Sequence, residues 1–550
     1  MIDVSFRNEI LMLLEKYGAQ NLSVAELLCD RHAKIPEKVA LFYESENGDS
    51  VKYTFAELKE LSSKFARVLA GAGIQKGDRV GVMLPKCPEM VIAALAVWRL
   101  GAVYLPLFTA FGPSAIAHRL TDSEAKVVVT DTNNRPKLED LLTKLPVSLV
   151  TVSEQFEEKV AKNEYSFWNE IRKAEPVRNA THVNGDDLLV LLYTSGTTGN
   201  PKGVKIPVKS LASFEAYMKF ALDLRKEDMY WNLADPGWAY GLYYNLIGPL
   251  LIGKATLFYG GPFNPIEVFR ILEKYRVTNF AAAPTAYKTL INAGKSAALK
   301  YKSILRVASS AGEPLNPNII SWAQEVWGIP IYDHFGQSEL GMAANNHHLP
   351  ELQEKLKLGS MGKSMPGFRM TILDDEGKEL GPNQEGQMAV DILNSPLCWF
   401  QSYWNDHERT TRAFTSDGRY YFAGDSASMD EDGYLFFSGR SDDIILSAGY
   451  RIGPFEVESA LMQHDAVSEA AVVGMPDQLR GEIVKAFIVL RDGYNSSNEI
   501  AKELSTFVKE RLSAHEYPRQ VSFLKELPKT PSGKIQRFLL KNAESEVISC

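Results

Sequence analysis

Cysteine is scarce in this chain of 550 residues. Cys29, Cys87, Cys398 and Cys550 lie far apart, and no pair has metal-ligand spacing. So few thiols in so long a chain suit a reducing compartment. Long apolar runs are missing as well. The strongest, residues 91–98, stops at Arg99 and is too short to span a bilayer. Neither sign of charge dominates, with 60 basic residues against 68 acidic ones and a net charge of −8. That balance argues against a nucleic-acid partner, although a local basic cleft is not excluded by an average. No internal repeat and no low-complexity segment is found. Residues 1–20 mix Asp3, Arg7, Glu9, Glu15 and Lys16 with apolar residues, which reads as an amphipathic helix rather than a signal peptide. The expectation is a cytoplasmic protein with no membrane span, too long for a single core.

What is present is an alternation of strand and helix. Thr54 and Glu57 form a capping-box pattern, and Leu58, Leu61, Phe65, Val68 and Leu69 recur at helical spacing up to Gly71. A strand is expected at 79–84, a helix opened by Pro88 and stopped by Gly101, and a strand at 126–130. The rhythm resumes with helices near 210–222 and 265–275 and a strand at 277–282. This is the pattern of parallel sheets covered by helices, an α/β architecture. After Gly359, Gly-rich turns separate short β-rich runs at 370–373, 387–392 and 434–437, which read as antiparallel hairpins and a small β-barrel. Beyond Gly439 a small α+β unit is expected. The boundary is set near 440–443, giving a large N-terminal domain at 1–441, with two αβ-layered subdomains and the barrel, and a mobile C-terminal domain at 442–550.

One stretch organises the rest. An apolar strand at 189–192 runs into Thr194-Ser195-Gly196-Thr197-Thr198-Gly199-Asn200-Pro201-Lys202-Gly203. Glycines let backbone N–H groups approach a ligand, hydroxyls donate to phosphate oxygens, and Lys202 adds positive charge. The order is not that of a Walker loop, which needs G-x-x-x-x-G-K-[ST]. Composition alone is equally that of a flexible surface loop. In open α/β sheets ligands sit beyond the carboxyl ends of strands, and this loop follows a strand.

Further motifs follow at wide spacing. Gly312-Glu313-Pro314 ends an apolar run. Asp333-His334-Phe335-Gly336-Gln337-Ser338-Glu339 sets an aromatic beside a glycine, and Glu339 is a hard oxygen ligand suited to Mg²⁺. Tyr421-Phe422-Ala423-Gly424-Asp425 ends in a carboxylate able to accept two ribose hydroxyls. Arg440 precedes Asp442 and Asp443. Gly449-Tyr450-Arg451-Ile452-Gly453-Pro454 leads into a helix, and Pro528-Lys529-Thr530-Pro531-Ser532-Gly533-Lys534-Ile535 lies near the C-terminus. Taken singly, these read as turns, a surface ion pair and a solvated tail. His334 taken alone reads as a structural histidine.

In their order and spacing, from about residue 20 to about 541, these motifs resemble the acyl-adenylate-forming synthetases: acyl-CoA synthetases, peptide-synthetase adenylation domains and luciferases. The runs around 440 and 449 look most like acetyl- and medium-chain acyl-CoA synthetases. The resemblance implies ATP, Mg²⁺ and coenzyme A. It places Thr194, Ser195, Gly196, Thr197, Thr198 and Gly199 on phosphate, with Gly312, Glu313 and Pro314 along adenine. The Asp333–Ser338 motif lies beside the nucleotide, with Phe335 and Ser338 where relatives often carry tyrosine and threonine. Thr194 and Glu339 face the metal. Asp425 takes the ribose, with alanine at 423 where relatives have threonine. Arg440 contacts the nucleotide, Asp442 is the hinge, Gly449 and Tyr450 line the pantetheine tunnel, and Arg451 meets phosphates. Lys534, with Lys202, is assigned to adenylation, where positive charge offsets the repulsion between a carboxylate and an anionic α-phosphate.

The implied reaction is ATP-dependent ligation of a carboxylic acid to CoA through an acyl-adenylate, with pyrophosphate and AMP released. Domain rotation then exchanges Lys534 for the Gly449 face. Acetate-specific relatives carry tryptophan where this chain has Gly336, which suggests a longer acid. Trp238, in Asp235-Pro236-Gly237-Trp238, reads either as a wall of the acyl pocket or as a core residue. The expected acid is short-to-medium and aliphatic. A carrier-loading adenylation enzyme, with Asp235 meeting an ammonium group, an aryl-CoA ligase and a catalytically silent binder remain alternatives. The oligomeric state is left open between monomer and homodimer.

Overall fold

The computed structural model describes residues 4–153, 163–194, 201–447, 450–512, 516–529, 535–541 and 548–549. The capping box is present: the Glu57 N–H donates to Thr54 Oγ1 at 3.2 Å, and the Thr54 N–H donates to the Glu57 carboxylate at 2.7 Å. It opens the helix Phe55–Gly71, whose apolar stripe Phe55, Leu58, Phe65 and Leu69 is buried. The helix Pro88–Arg99 is buried on nearly every side. It therefore lies between layers rather than on the surface.

Two large sheets carry the N-terminal part. One has eight strands. From Glu164–Ser166 through Ser148–Val152, Val127–Asp131, Arg79–Met83 and Val103–Pro106 to Leu188–Thr194 it is parallel. Lys202–Pro207 then joins antiparallel, and the short strand Tyr403–Trp404 closes that edge. The other sheet has six strands. Tyr230–Asn232, Asn279–Ala282, Val307–Ala311 and Ile331–Gln337 are parallel, and Gly341–Asn345 and Lys363–Ser364 are antiparallel. The parallel strands are nearly all buried, as sheets covered on both faces require.

The run after Gly359 forms a four-stranded antiparallel sheet in the order Met370–Leu373, Glu385–Asp391, Tyr420–Met429 and Leu435–Arg440. Where a small barrel is expected, no ladder joins the two outer strands among the described residues. The C-terminal part has its own core, from Ile445 to Val521, built on the antiparallel pair Val467–Asp477 and Gly481–Leu490. The helices Pro454–Leu461 and Asn498–Arg511 contribute Val457, Leu461, Ala501, Leu504 and Val508 to it. That core begins just past Asp442. Among the described residues no helix is long and apolar enough to cross a membrane.

Candidate active site

The strand Leu188–Thr194 ends at the phosphate-loop sequence, and Lys202–Pro207 returns beside it with Thr194 opposite Lys202. Among the described residues, Thr194 Oγ1 is buried without a hydrogen-bond partner. A buried hydroxyl left alone costs free energy, so this oxygen is placed to meet something else. Ser195, Gly196, Thr197, Thr198 and Gly199 lie outside the described residues. Gly203 is glycine because Trp404 crosses it closely, at 2.9 Å from where a Cβ would stand.

The six-stranded sheet brings its own strand ends to the same place. Val307–Ala311 ends at Gly312, whose φ of +95° disfavours any residue with a Cβ. The next residue, Glu313, accepts the Thr285 hydroxyl on both oxygens, at 2.9 and 2.7 Å. Pro314 is half-buried. Ile331–Gln337 lies alongside. Asp333 is buried and receives the Leu315 N–H at 3.4 Å, and burial pushes its carboxyl well up. Phe335, Gly336, Gln337 and Ser338 are half-buried. Tyr243 donates to the Ser338 carbonyl at 2.9 Å.

His334 faces the other way and is fully partnered. Its Nε2 lies 2.9 Å from the Asn346 carbonyl, so it donates there, and Nδ1 accepts the Tyr217 hydroxyl at 2.8 Å. Burial holds the ring neutral, its pKa lowered to about 3. A ring with both nitrogens occupied inside the core has none left for a nucleotide.

Glu339 is where the two sheets meet. Its Oε1 lies 2.9 Å from Lys202 Nζ and accepts the Tyr403 hydroxyl at 2.9 Å. Lys202 also donates to the Tyr403 oxygen at 2.7 Å. Tyr403 has no counterpart in the sequence motifs. It is 64 residues from Glu339 and 201 from Lys202, and only the edge strand Tyr403–Trp404 carries it there. The buried Glu339 carboxylate and the Thr194 hydroxyl offer hard oxygen donors in a low-water setting, with the half-buried Lys202 ammonium beside them. The set fits Mg²⁺.

A third wall comes from the four-stranded sheet. Asp425 stands opposite Arg440, and Arg440 donates to its Oδ1 at 2.9 Å. Gln337 donates to Asp425 Oδ2 at 2.8 Å and receives the Tyr421 hydroxyl at 3.2 Å. The nearby Asp425 carboxylate raises the Arg440 guanidinium further. Gly424, at φ +70°, makes the turn that lets Arg440 pass close to it.

The segment expected at the acyl end is aromatic. Trp238 packs on Phe108 and Phe111, with ring centroids 5.0 and 5.5 Å away, and its Nε1 is buried without a partner among the described residues. Gly237 leaves Phe108 the space a Cβ would fill. Gly336 tells a different story from the expected one. A Cβ there would run into the carbonyl oxygen of Gly341 and into Met342, so the glycine is required by the neighbouring strand. Asp235 accepts the Gly237 N–H at 2.7 Å, and Lys86 acts on it electrostatically. Burial pushes Asp235 up and Lys86 down, and each counters the other.

On the C-terminal side, Tyr450 is half-exposed in the hairpin that pairs Ile445–Ser447 with Tyr450–Ile452. Gly453 leaves no room for a Cβ against the Ser438 carbonyl, and Phe455 meets Phe437 edge to face at 6.0 Å. Asp442 lies in the turn Ser441–Asp443 between the two parts. Arg537 reaches back to Glu458 at 2.7 Å and to Asp443 at 3.7 Å. Gly449, Lys534 and the Arg451 side chain lie outside the described residues. The segment holding Lys534 is flanked by a bridge between Lys529 and Ile535.

Comparison with known proteins agrees with this geometry. Residues 29–404 match the AMP-binding enzyme family, and residues 456–534 match the AMP-binding enzyme C-terminal domain. The chain is 40% identical to the acetyl-coenzyme A synthetase of Bacillus subtilis, over 94% of this chain and 90% of that protein. It is 38% identical to the mitochondrial acyl-coenzyme A synthetase ACSM3 of Mus musculus, over 90% of this chain and 85% of that protein. Among solved structures, an acyl-CoA synthetase from Brucella canis is 46% identical, with TM-score 0.76 and coverage of 98% and 97% of the two chains. The anthranilate CoA ligase AuaEII, in complex with anthranoyl-AMP, is 28% identical, with TM-score 0.85 and coverage of 95% and 97%. The chain belongs to the AMP-binding enzyme family, and within it is an AMP-forming acyl-CoA synthetase that uses ATP, Mg²⁺ and CoA.

Proposed function

We propose that the acid activated is short-to-medium and aliphatic, and that the cleft divides its labour by wall. Thr194 and Lys202 face the phosphates from one sheet, and Glu339 holds the metal from the other. The segment Gly312–Pro314, with Asp333, Phe335 and Gln337, lines the nucleotide. Asp425 takes the ribose hydroxyls, and Arg440 stands beside it as a nucleotide contact. The observation that carries this division of the cleft is the meeting of Lys202 and Glu339 at 2.9 Å beside the Thr194 hydroxyl, which has no partner among the described residues. The bound metal supplies positive charge against the phosphates. Lys202 and Lys534 supply more, which offsets repulsion as the carboxylate approaches the α-phosphate. The mixed anhydride formed is a better acyl donor than the free acid, and the CoA thiol then displaces AMP.

Asp442 is the proposed hinge, with the N-terminal domain at 1–441 and the mobile domain at 442–550. The separate core beginning at Ile445 supports it. Rotation there would exchange Lys534 for the face carrying Gly449, Tyr450 and Arg451. A differently rotated C-terminal part would also account for the lower TM-score of the more identical Brucella canis structure. The absence of any described membrane-spanning helix fits a cytoplasmic placement.

The aromatic wall of Trp238, Phe108 and Phe111 sets the depth of the acyl pocket in this reading. It also favours an aryl-CoA ligase as the second reading, since flat rings stack on such walls. The carrier-loading alternative loses its main support, because Asp235 already has Lys86 for an opposing charge. The test is pyrophosphate release with ATP and acid, with and without CoA. Equal amounts of AMP and acyl-CoA are expected with CoA. Pyrophosphate release that never yields a thioester would return the carrier-loading enzyme to first place.

A further inference from the structure

Lys202 and Glu339 cannot do their proposed work while paired with each other. The ammonium is assigned to phosphate and the carboxylate to a cation, yet they stand 2.9 Å apart. Opening such a pair inside a cleft costs both groups their partner unless a third group stays with them. Tyr403 is the group in place to do so. Its hydroxyl accepts from Lys202 at 2.7 Å and donates to Glu339 Oε1 at 2.9 Å. The ammonium also lies 4.4 Å from its ring centroid. Of the three side chains, only a phenol both donates and accepts.

The ring is held firmly. Tyr403 is 6% exposed and packs on Phe400 at 4.9 Å. Its backbone N–H donates to Thr410 Oγ1 at 3.0 Å, and its strand pairs with the strand that carries Lys202.

We propose that Tyr403 is a positioning residue that keeps the Glu339 carboxylate and the Lys202 ammonium oriented as their ion pair opens to admit Mg²⁺ and phosphate. The inference rests on the roles proposed above for Lys202 and Glu339. Without the hydroxyl, Glu339 keeps the ammonium as its partner among the described residues, and that ammonium competes with the cation for it.

Tyr403→Phe removes the hydroxyl and keeps the ring. The readout is calorimetric ATP binding over a series of free Mg²⁺ concentrations, with the steady-state KM values beside it. The expected result is an about tenfold rise in the Mg²⁺ needed for half-maximal ATP binding, the scale of a hydrogen bond to a charged group. The KM for the acid and the unfolding temperature stay unchanged. In a Lys202→Met background the same substitution adds no further shift, because the competing ammonium is gone. An unchanged Mg²⁺ dependence in Tyr403→Phe, beside a shifted one in Glu339→Gln, overturns the proposal alone. An equal shift with and without Lys202 also overturns it. An unchanged dependence in Glu339→Gln overturns the metal reading of that carboxylate, and this proposal with it.

Discussion

The proposed nucleotide end of the cleft and its proposed acyl end are built by opposite means. At the nucleotide end, polar groups from separate sheets hold one another: Lys202, Glu339 and Tyr403 in one knot, and Gln337, Asp425 and Arg440 in another. Each partner is fixed by a charge-assisted bond that tolerates little substitution. At the acyl end, Trp238, Phe108 and Phe111 meet through ring faces and edges, with little to fix a length. A polar knot specifies a chemistry. An aromatic wall specifies a shape, and shape is graded, at about 1–3 kcal/mol per methylene. One end should therefore break abruptly under substitution and the other should retune.

The largest break is expected at Lys534, the proposed adenylation lysine. Lys534→Ala should lower acid-dependent ATP–pyrophosphate exchange by a hundredfold or more, on the order of the loss of one oriented transition-state donor. Thioester formation from a supplied acyl-adenylate should persist. Parallel loss of both half-reactions would contradict a role confined to the first. Next comes the ribose wall. Asp425→Ala, at the proposed ribose contact, takes from Arg440 its Asp425 acceptor and leaves Gln337 with the Ala423 carbonyl, so kcat/KM for ATP should fall roughly 10- to 100-fold, while the KM for CoA moves little. The acyl end should behave differently. Trp238→Ala should shift the preferred straight-chain acid to a longer one with total turnover changed less than tenfold, as read by kcat/KM across chain lengths.

Stability supplies the smallest and most graded effect. Burial holds His334 neutral down to about pH 3 and His347 down to about pH 4. Their pKa values are lowered on folding, so the unfolded chain binds more protons as pH falls below the ordinary histidine value of about 6.5. Stability is full above that pH and declines through the window down to the folded values. At pH 5 the cost is about 2 kcal/mol for each such ring. Thermal unfolding at pH 7 and pH 5 should show a lower midpoint at pH 5, with a smaller difference in His347→Gln.

The same contrast governs how much the sequence could tell. The capping box, the helix opened by Pro88 and the strand that runs up to Thr194 follow from local rules, and the structure carries them as expected. The motif glycines were legible where they have local reasons, such as the positive φ of Gly312 and Gly424. Tyr403 was not legible, since no spacing joins it to residues 64 and 201 positions away. His334 sits inside a motif but turns to the opposite face of its strand, which an alternating pattern could have warned of. Gly336 shows the other failure. Its missing side chain reads as space for substrate, yet the space is taken by the backbone of Gly341 and Met342.

The account turns most directly on which acid the enzyme turns over. CoA-dependent AMP formation should be measured across straight-chain, branched and aromatic acids under one set of conditions. A maximum among short-to-medium aliphatic acids beyond acetate, with a gradual decline on either side, is the predicted result. A sharp maximum at acetate, or one confined to aromatic acids, would contradict it.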